Sequence, residues 1–482
     1  MEGRYKHLKV EDRKKILLLC DDFRMHSGIA TMAREIIFGT VQHFKWFQIG
    51  AAIKHPEAGK LLDLSEDVSK NTGVKDAYVR MIPSNGYGDV NLVRSILKTE
   101  QPDAIMIFTD PRYWTWLFDI EREIRKDIPI LYLNIWDDYP APLYNRDFYD
   151  SCDLLMGISK QTVNINKLVL GDKAKGKIIK YVPHGINRKQ FFKITKDSEN
   201  YDKYEEFTKN IFPDKDIKFT VFFNSRNIRR KSPSDLIAGY RVFCDAIGKE
   251  KAKRCALVMK TEVRSDHGTD LRAVKEALAD PEYVNVFFAE ERLAPNQMNL
   301  LYNVADVTLL LSSNEGWGLA LTESMMAGTM ISANVTGGMQ DQMRFVDNDG
   351  NWFTPSPEVP SNHRGTYKEH GVWAEPIFPS NISLAGSPLT PYIFDDRCTP
   401  EDAAAALLKV YLLGKEERTQ RGLAGREWAL SEEAQMSSVT MSKNISRCMD
   451  KAWDNFTPRP SFDLIKVGDR PSKYVNHKIT GY

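Results

Sequence analysis

At 482 residues the chain is longer than a single hydrophobic core usually supports, so its length predicts two domains. Its formal net charge of +1 excludes an overall field that would attract nucleic acid or an anionic membrane. The six cysteines show no CxxC or zinc-type spacing, and no apolar run approaches the roughly 18 residues of a membrane span. The first residues lack the apolar centre of a secretion signal, so we expect a soluble cytoplasmic protein.

Short apolar runs alternate with helical spacing over the first part of the chain. The first run, at 15–20, leads into a polar loop with Gly28 and then into a helix at 29–41. Further strands are predicted at 46–52, 104–108, 130–135, 154–158 and 178–182. This alternation is typical of a parallel sheet that binds ligands beyond the carboxyl ends of its strands. We therefore predict a Rossmann-like domain over residues 1–188.

A second alternating set follows a charged linker at 189–216 and predicts another Rossmann-like domain at 217–440. Within it, residues 349–399 are rich in Pro, Gly, Ser and aromatic residues and are expected to form an irregular insertion. This insertion is interpreted as a lid, an acceptor platform or a passive surface element. Residues 441–482 are expected to form a crossing helix and a basic tail.

The stretch at 310–328, LLSSNEGWGLALTESMMAG, predicts a strand end, a glycine loop and a helix. Glu315 lies in the loop, and Glu323 follows eight residues later on the helix. The glycines permit close approach of a ligand, and the free N–H groups of a helix start attract an anion. Two acids beside such an anion site would suit a nucleotide sugar, which has hydroxyls at both ends and a diphosphate between them. The alternative is an ordinary strand, turn and helix with two solvated acids.

Two cations, Arg226 and Lys231, follow another predicted strand of the second domain. Facing a cleft, they would offset the charge of a departing diphosphate. The alternative is a solvated basic turn, because Arg229 and Arg230 lie between them. The Asp-x-Asp pattern at 347–349 is better explained by turn chemistry than by a metal site.

These motifs together resemble the retaining GT-B glycosyltransferases that use nucleotide-sugar donors. The resemblance lies in HSGIATMAREI (26–36), VPHGIN (182–187), FNSRNIRRKSP (223–233), LYNVADVTLLLSSNEGWGLALTESMMAGT (301–329) and NVTGGMQDQM (334–343). It implies two Rossmann-like domains that face each other across a cleft, with the C-terminal helices crossing back to the first domain. It implies no cofactor and no metal, and a UDP- or GDP-sugar as co-substrate.

Carried onto this chain, the resemblance implies that Arg226 and Lys231 hold the donor diphosphate. Glu315 would contact the sugar hydroxyls, and Glu323 the ribose hydroxyls. The backbone of residues 316–319 would lie against sugar and phosphate, and the loop at Gly28 would approach the diphosphate from the first domain. The residues of that backbone stretch are Gly316, Trp317, Gly318 and Leu319.

The sequence departs from this family at one catalytic position. Many relatives place a His after the strand that ends here at Phe108, whereas this chain has Thr109 and Asp110. Either Asp110 takes a related catalytic role, or the donor sugar differs from that of these relatives. The neighbouring loops of the first domain are aromatic and are expected either to stack on an acceptor or to pack. Their rings are Tyr113, Trp114, Trp116, Trp136 and Tyr139.

The sequence predicts a retaining glycosyltransferase whose soluble acceptor is a saccharide or a polymer. A hydroxymethylated base in DNA stays open as an acceptor, because the tail from Arg459 to Lys478 is basic. A non-catalytic nucleotide-sugar-binding module is the alternative from a different class. An epimerase or a phosphorylase has a similar architecture, but no motif suggests the pyridoxal lysine that a phosphorylase needs.

Overall fold

Two mostly parallel β-sheets form the framework of the protein, and each builds one domain. The computed structural model describes residues 5–52, 54–213, 215–360 and 367–460. The tail at 461–482, on which the DNA hypothesis depends, lies outside the described residues.

The first sheet has eight strands in the order β3-β4-β2-β1-β5-β6-β7-β8. Its central strands are buried on both faces, as in other parallel sheets, which explains their nearly uninterrupted apolar sequence. Its strands are β1 (Lys14–Asp21), β2 (Phe44–Ala52), β3 (Leu62–Asp63), β4 (Val79–Asn85), β5 (Ala104–Phe108), β6 (Ile130–Asn134), β7 (Leu154–Gly157) and β8 (Ile178–Tyr181).

Helices connect these strands, and one further helix follows in the linker. They are α1 (Gly28–Thr40), α2 (Ser65–Thr72), α3 (Val90–Glu100), α4 (Thr115–Asp119), α5 (Glu121–Arg125), α6 (Arg146–Asp150), α7 (Lys160–Leu170) and, in the linker, α8 (Tyr201–Ile211). The linker packs on the second domain, where Tyr204 donates a hydrogen bond to the Asn303 carbonyl at 3.3 Å.

The second sheet has six strands in the order β11-β10-β9-β12-β13-β14. They are β9 (Phe219–Asn224), β10 (Cys255–Lys260), β11 (Val286–Phe288), β12 (Val307–Leu310), β13 (Met330–Asn334) and β14 (Ala374–Ile377). Its helices are α9 (Pro233–Ile247), α10 (Lys249–Ala252), α11 (Leu271–Leu278), α12 (Pro295–Val304), α13 (Leu319–Met326), α14 (Met339–Met343), α15 (Pro400–Leu412) and α16 (Gly414–Ala429).

The last helix, α17 (Ser438–Asp454), returns to the first domain and packs against α1. The Trp453 indole donates to the Asp103 carbonyl at 2.9 Å, and His43 lies 3.0 Å from the Asp450 carboxylate. A side chain at Gly39 would collide with Ser442, so the two helices approach each other closely. The prediction of two facing Rossmann-like domains with a crossing C-terminal helix is therefore confirmed.

The segment at 349–399 is more regular than its composition suggests. It contributes the edge strand β14 to the second sheet and then a two-stranded antiparallel hairpin, β15 (Asn381–Ser387) and β16 (Thr390–Arg397). Pro and Gly residues interrupt the alternation of both elements, so the expectation of an irregular insertion was wrong for 374–397. The hairpin is the part of this segment that lies outside both main sheets.

Within the described residues, no helix is both long and apolar enough to cross a bilayer.

Candidate active site

The loops that follow β9 and β12 meet at the carboxyl edge of the second sheet, because these two strands are neighbours. Lys231, from the loop after β9, contacts the Glu315 carboxylate, from the loop after β12. Burial and the nearby charge of Arg230 lower the pKa of the Lys231 ammonium, whereas the Glu315 carboxylate in contact with it favours its charged form. Lys231 and Glu315 therefore form an ion pair whose ammonium is buried.

Arg226 is exposed at the start of the same loop, and its charge reaches across the cleft to Asp21 at the end of β1. Burial raises the pKa of Asp21, while hydrogen bonds from Ser27 and Tyr87 and the charge of Arg226 act in the opposite direction. Arg226 of the second domain therefore lies near the first loop of the other domain.

Gly28 lies opposite the start of α13, and its predicted approach to a diphosphate stays a prediction. A Cβ at this position would be 3.3 Å from the Leu319 side chain at the start of α13. Gly316 approaches the first domain even more closely, since its Cβ would lie 2.6 Å from the Ile135 carbonyl oxygen. A side chain at Gly316 would force the two domains apart at the cleft.

The backbone around Gly318 turns sharply into α13. Gly318 has a φ of +87°, which favours glycine, and the helix begins at Leu319. The Trp317 side chain is buried and donates to Thr322 at 3.1 Å, so its ring packs inside the domain. The Trp317 carbonyl accepts from the Gln342 amide at 2.6 Å, and the first N–H groups of α13 lack partners within the helix.

Glu323 forms a separate polar cluster on α13. The Tyr302 hydroxyl donates to its carboxylate at 2.5 Å, and the Asn224 amide donates to the same hydroxyl at 2.8 Å. Burial raises the pKa of Glu323 to about 7, although the Tyr302 hydrogen bond acts in the opposite direction. The sequence did not identify Tyr302 or Asn224, because only the packing of α12 against both α13 and β9 brings them to Glu323.

Arg230 is another residue whose contacts the sequence did not predict. It was interpreted as part of a possible solvated turn, but its guanidinium donates to the Asn314 carbonyl at 2.8 Å. It also lies 3.5 Å from the Glu315 carboxylate and 3.8 Å from Asp137 of the first domain. Arg230 therefore links the glycine loop to the loop after β6.

Asp110 interacts with Arg112 and not with the Lys231–Glu315 pair. Its carboxylate accepts from the Arg112 backbone N–H at 3.0 Å and pairs with the Arg112 guanidinium. It caps the turn that begins at Pro111, a signal that the Asp-Pro sequence already contained. A catalytic role for Asp110 stays a prediction.

The β15–β16 hairpin joins the two domains beside this site. On the first domain, the Phe394 N–H donates to the Tyr139 carbonyl at 2.8 Å. On the second, the Asn334 amide donates to the Asp396 carbonyl at 2.7 Å, and Asp395 accepts from Asn314 at 3.0 Å. The hairpin therefore connects the loop after β6 with the loop that carries Glu315.

Two buried carboxyl groups, Asp138 and Asp396, meet at this junction. Burial, and then the charge of Asp396, raise the pKa of Asp138 well above its usual value. Thr336 and Gln161 donate to the Asp138 carboxyl at 3.0 and 2.8 Å. A proton shared between the two carboxyl groups would stabilise this contact, and loss of that proton would weaken the connection between the hairpin and the first domain.

We expect this pair to make stability fall with rising pH. A carboxyl group whose pKa is raised in the folded state destabilises the fold progressively as pH rises above its unfolded value of about 4. Asp396→Asn removes one titrating group, so its free energy of unfolding should fall less between pH 5 and pH 8 than that of the unchanged protein. The two falls should differ by at least about 1 kcal/mol. Urea unfolding at both pH values measures this, with Asp395→Asn as the matched control. An identical pH dependence in Asp396→Asn and the unchanged protein would show that the pair does not share a proton.

Residues 347–351 form a turn, in which the Asp347 carboxylate accepts from the Asn351 N–H at 2.9 Å. Across the part of the chain that the structure describes, no group of three or more His, Cys, Asp and Glu side chains is arranged to hold a metal ion.

A cavity of about 400 Å³ lies at the carboxyl ends of β10 and β11, on the same edge of the sheet as the loops above. Glu262, Arg264, Arg272 and Glu290 are among its lining residues. Asn227, next to Arg226, donates to the Val263 carbonyl at 3.3 Å and so connects the basic loop to the cavity wall. Sequence analysis did not predict this cavity.

Comparisons with known proteins agree with this architecture. Residues 205–359 match the family described as glycosyl transferases group 1. No curated protein sequence matches the chain.

Several solved structures share the fold over nearly the whole chain. A glycosyltransferase from Rickettsia africae has a TM-score of 0.61 at 14% identity, covering 92% of this chain and 100% of its own. Sucrose-phosphate synthase from Thermosynechococcus elongatus gives the same values. Anabaena HepE, in complex with UDP and glucose, has a TM-score of 0.59 at 12% identity and covers 91% of this chain and 100% of its own. The chain thus has the GT-B glycosyltransferase fold, and its second domain carries the match to glycosyl transferases group 1.

Proposed function

We propose that the protein is a retaining, metal-independent glycosyltransferase that moves a sugar from a nucleotide-sugar donor to a soluble acceptor, a saccharide or a polymer. The observation that carries this proposal is the Lys231–Glu315 contact at the cleft, with Arg226 on the same loop. It lies within the segment that matches glycosyl transferases group 1.

In this proposal the donor diphosphate lies between the two domains. Lys231 exchanges Glu315 for a phosphate oxygen, Arg226 adds a second positive charge, and the N–H groups at the start of α13 complete the anion site. Glu315, released from Lys231, then accepts hydrogen bonds from the sugar hydroxyls. Glu323, oriented by Tyr302, accepts from the ribose hydroxyls. The complex of Anabaena HepE with UDP and glucose supports a uridine nucleotide as the first donor to test.

The base of the nucleotide would extend towards the cavity beside β10 and β11. The cavity adjoins the loop that carries Arg226, because Asn227 contacts its wall at Val263. Its polar lining offers hydrogen-bonding partners to the edge of a base, and its volume of about 400 Å³ is sufficient for one ring system.

The proposed reaction is a same-face substitution at the anomeric carbon. The bond from this carbon to the phosphate oxygen breaks, and a bond to the acceptor oxygen forms on the same face of the sugar. The acceptor proton passes to the departing phosphate oxygen, whose growing negative charge Arg226 and Lys231 stabilise. The residues therefore act by positioning the reactants and stabilising charge.

A saccharide acceptor is supported by the relatives of similar fold. A trehalose-phosphate synthase from Burkholderia xenovorans, with a TM-score of 0.59 at 11% identity, was crystallised with glucose-6-phosphate. In this chain the acceptor would approach along the loops of the first domain, opposite the glycine loop.

Metal independence has a direct consequence for activity. We expect EDTA to leave sugar transfer and donor hydrolysis unchanged, because Lys231 and Arg226 supply the charge that a divalent ion would otherwise provide. Rates measured with EDTA, and again after adding Mn²⁺ or Mg²⁺, test this. Activity that EDTA removes and either ion restores would contradict the metal-free mechanism.

A panel of UDP-, GDP- and ADP-sugars tests the proposed function itself. A true donor should raise the unfolding temperature, because it binds only the folded protein, and should release nucleoside diphosphate slowly without an acceptor. Stabilisation without any release, even with mono- and oligosaccharides present, would favour the non-catalytic binding module. No stabilisation by any nucleotide sugar would contradict both hypotheses.

A further inference from the structure

A pair of stacked tyrosines lies at the carboxyl edge of the first sheet. The rings of Tyr87 and Tyr113 are 4.3 Å apart and almost parallel, with 4° between their planes. Tyr113 is 47% exposed although Tyr87 covers one of its faces, so its other face is open to solvent. The remaining aromatic residues of these loops are less exposed, since Trp114, Trp136 and Tyr139 are buried and Trp116 is half-buried.

The stack is connected to the proposed diphosphate site. Tyr87 hydrogen-bonds to the Asp21 carboxylate, and Ser27 donates to the same carboxylate at 2.7 Å. Asp21 in turn interacts electrostatically with Arg226 across the cleft. A ring bound on Tyr113 would therefore lie on the acceptor side of the diphosphate, within reach of the sugar to be transferred.

The charges of these loops favour a neutral ligand. Both arginines of the loops after β1 and β5 are already paired: Arg24 with Asp22 at 2.7 Å, and Arg112 with Asp110. Asp21 receives hydrogen bonds but has no arginine of its own loop as partner. A phosphate group on the acceptor would find neither of these two arginines free to pair with it, whereas a sugar hydroxyl would find a hydrogen-bond acceptor in Asp21.

We propose that the open face of Tyr113 binds the ring of a neutral sugar acceptor, and that Asp21 accepts a hydrogen bond from one of its hydroxyls. The C–H face of a sugar ring buries apolar area on Tyr113, and Tyr87 keeps the Tyr113 ring in place. This inference rests on the proposed function, because it assigns the acceptor side of the same cleft. A neutral acceptor would also distinguish this chain from relatives whose acceptors carry phosphate, and it argues against DNA as the acceptor.

Binding of the methyl glycosides of glucose, galactose, mannose and N-acetylglucosamine, measured by NMR titration with saturating UDP, tests the proposal. Glucose 6-phosphate is the charged comparison. We expect at least one neutral glycoside to bind, and to bind more tightly than the phosphate. Tyr113→Ala should weaken this binding about tenfold, while Tyr113→Phe, which keeps the ring face, should stay within about twofold of the unchanged protein.

Tyr201→Ala, on the linker helix, is the matched control and should bind both UDP and sugar as before. The affinity for UDP, measured separately by calorimetry, should be the same in Tyr113→Ala and the unchanged protein, which shows that the variant is folded. Equal sugar affinity in Tyr113→Ala, stronger binding of glucose 6-phosphate, or no sugar binding despite tight UDP binding would each overturn the proposal. If no nucleoside diphosphate binds at all, the proposed function fails first and this inference fails with it.

Discussion

Replacing Lys231 with alanine is expected to lower turnover by about 100- to 1,000-fold, the range seen when one preorganised charge-stabilising group is lost. Donor affinity should fall by a much smaller factor, because the negative charge on the departing diphosphate grows towards the transition state. Steady-state kinetics with the identified donor, combined with calorimetry of the donor or of the nucleoside diphosphate, separates the two effects. Arg226→Ala should likewise lower turnover more than donor affinity. Its losses should be smaller than those of Lys231→Ala, because the Arg226 side chain is exposed.

The Lys231 variant also removes the closer of the two cations beside the Glu315 carboxylate and leaves Arg230 at 3.5 Å, so folding must be checked. Lys231→Met keeps the length of the side chain and should show the same kinetic defect with a smaller loss of stability. Arg229→Ala is the control, since Arg229 is an exposed cation of the same turn. Turnover within twofold of the unchanged protein in folded Lys231→Ala would remove this residue from the catalytic machinery.

The second large effect is expected at Glu323. Charge-assisted hydrogen bonds are worth about 1.5–3 kcal/mol, so Glu323→Ala should weaken nucleoside diphosphate binding by roughly one to two orders of magnitude. The variant also leaves the Tyr302 hydroxyl without its carboxylate, and Tyr302→Phe, which removes that hydroxyl alone, should cost less. A nucleotide without ribose hydroxyls should bind the unchanged protein and Glu323→Ala about equally.

The raised pKa of Glu323 adds a pH dependence to this prediction. With a pKa of about 7 in the free protein, the carboxylate becomes the main form only above neutral pH, so nucleotide affinity should increase between pH 6 and pH 8. Glu323→Gln should remove this dependence, which calorimetry across the pH range measures. An unchanged affinity in folded Glu323→Ala would show that the ribose does not contact this residue.

The framework could be predicted because it depends on local patterns. The strand β5 coincides with its predicted bounds, and β6 and β7 each end one residue before theirs, since each is a buried apolar run between polar loops. The β15–β16 hairpin was missed because its alternation is interrupted by Pro and Gly, and its strands are half-exposed. Its bridging role depends on contacts with Tyr139 and Asn334, which no local pattern encodes.

The candidate site likewise has a part that local sequence patterns indicated and a part that depends on packing. The Lys231–Glu315 contact brings together two motifs that the sequence marked separately, because adjacent parallel strands place their loops side by side. Tyr302 and Arg230 were missed, since their importance comes from packing and not from spacing. Asp110 is the opposite case. The family resemblance suggested a catalytic role for it, whereas in the structure its carboxylate pairs with the neighbouring Arg112.

The stereochemistry of sugar release tests the central claim most directly. Proton NMR can follow an α-linked nucleotide sugar with the protein and record the anomer of the first sugar product before it equilibrates. The account predicts slow release of nucleoside diphosphate with an α product, and almost none of either in Lys231→Ala. A β product would contradict retention, and release that persists unchanged in Lys231→Ala would contradict the site.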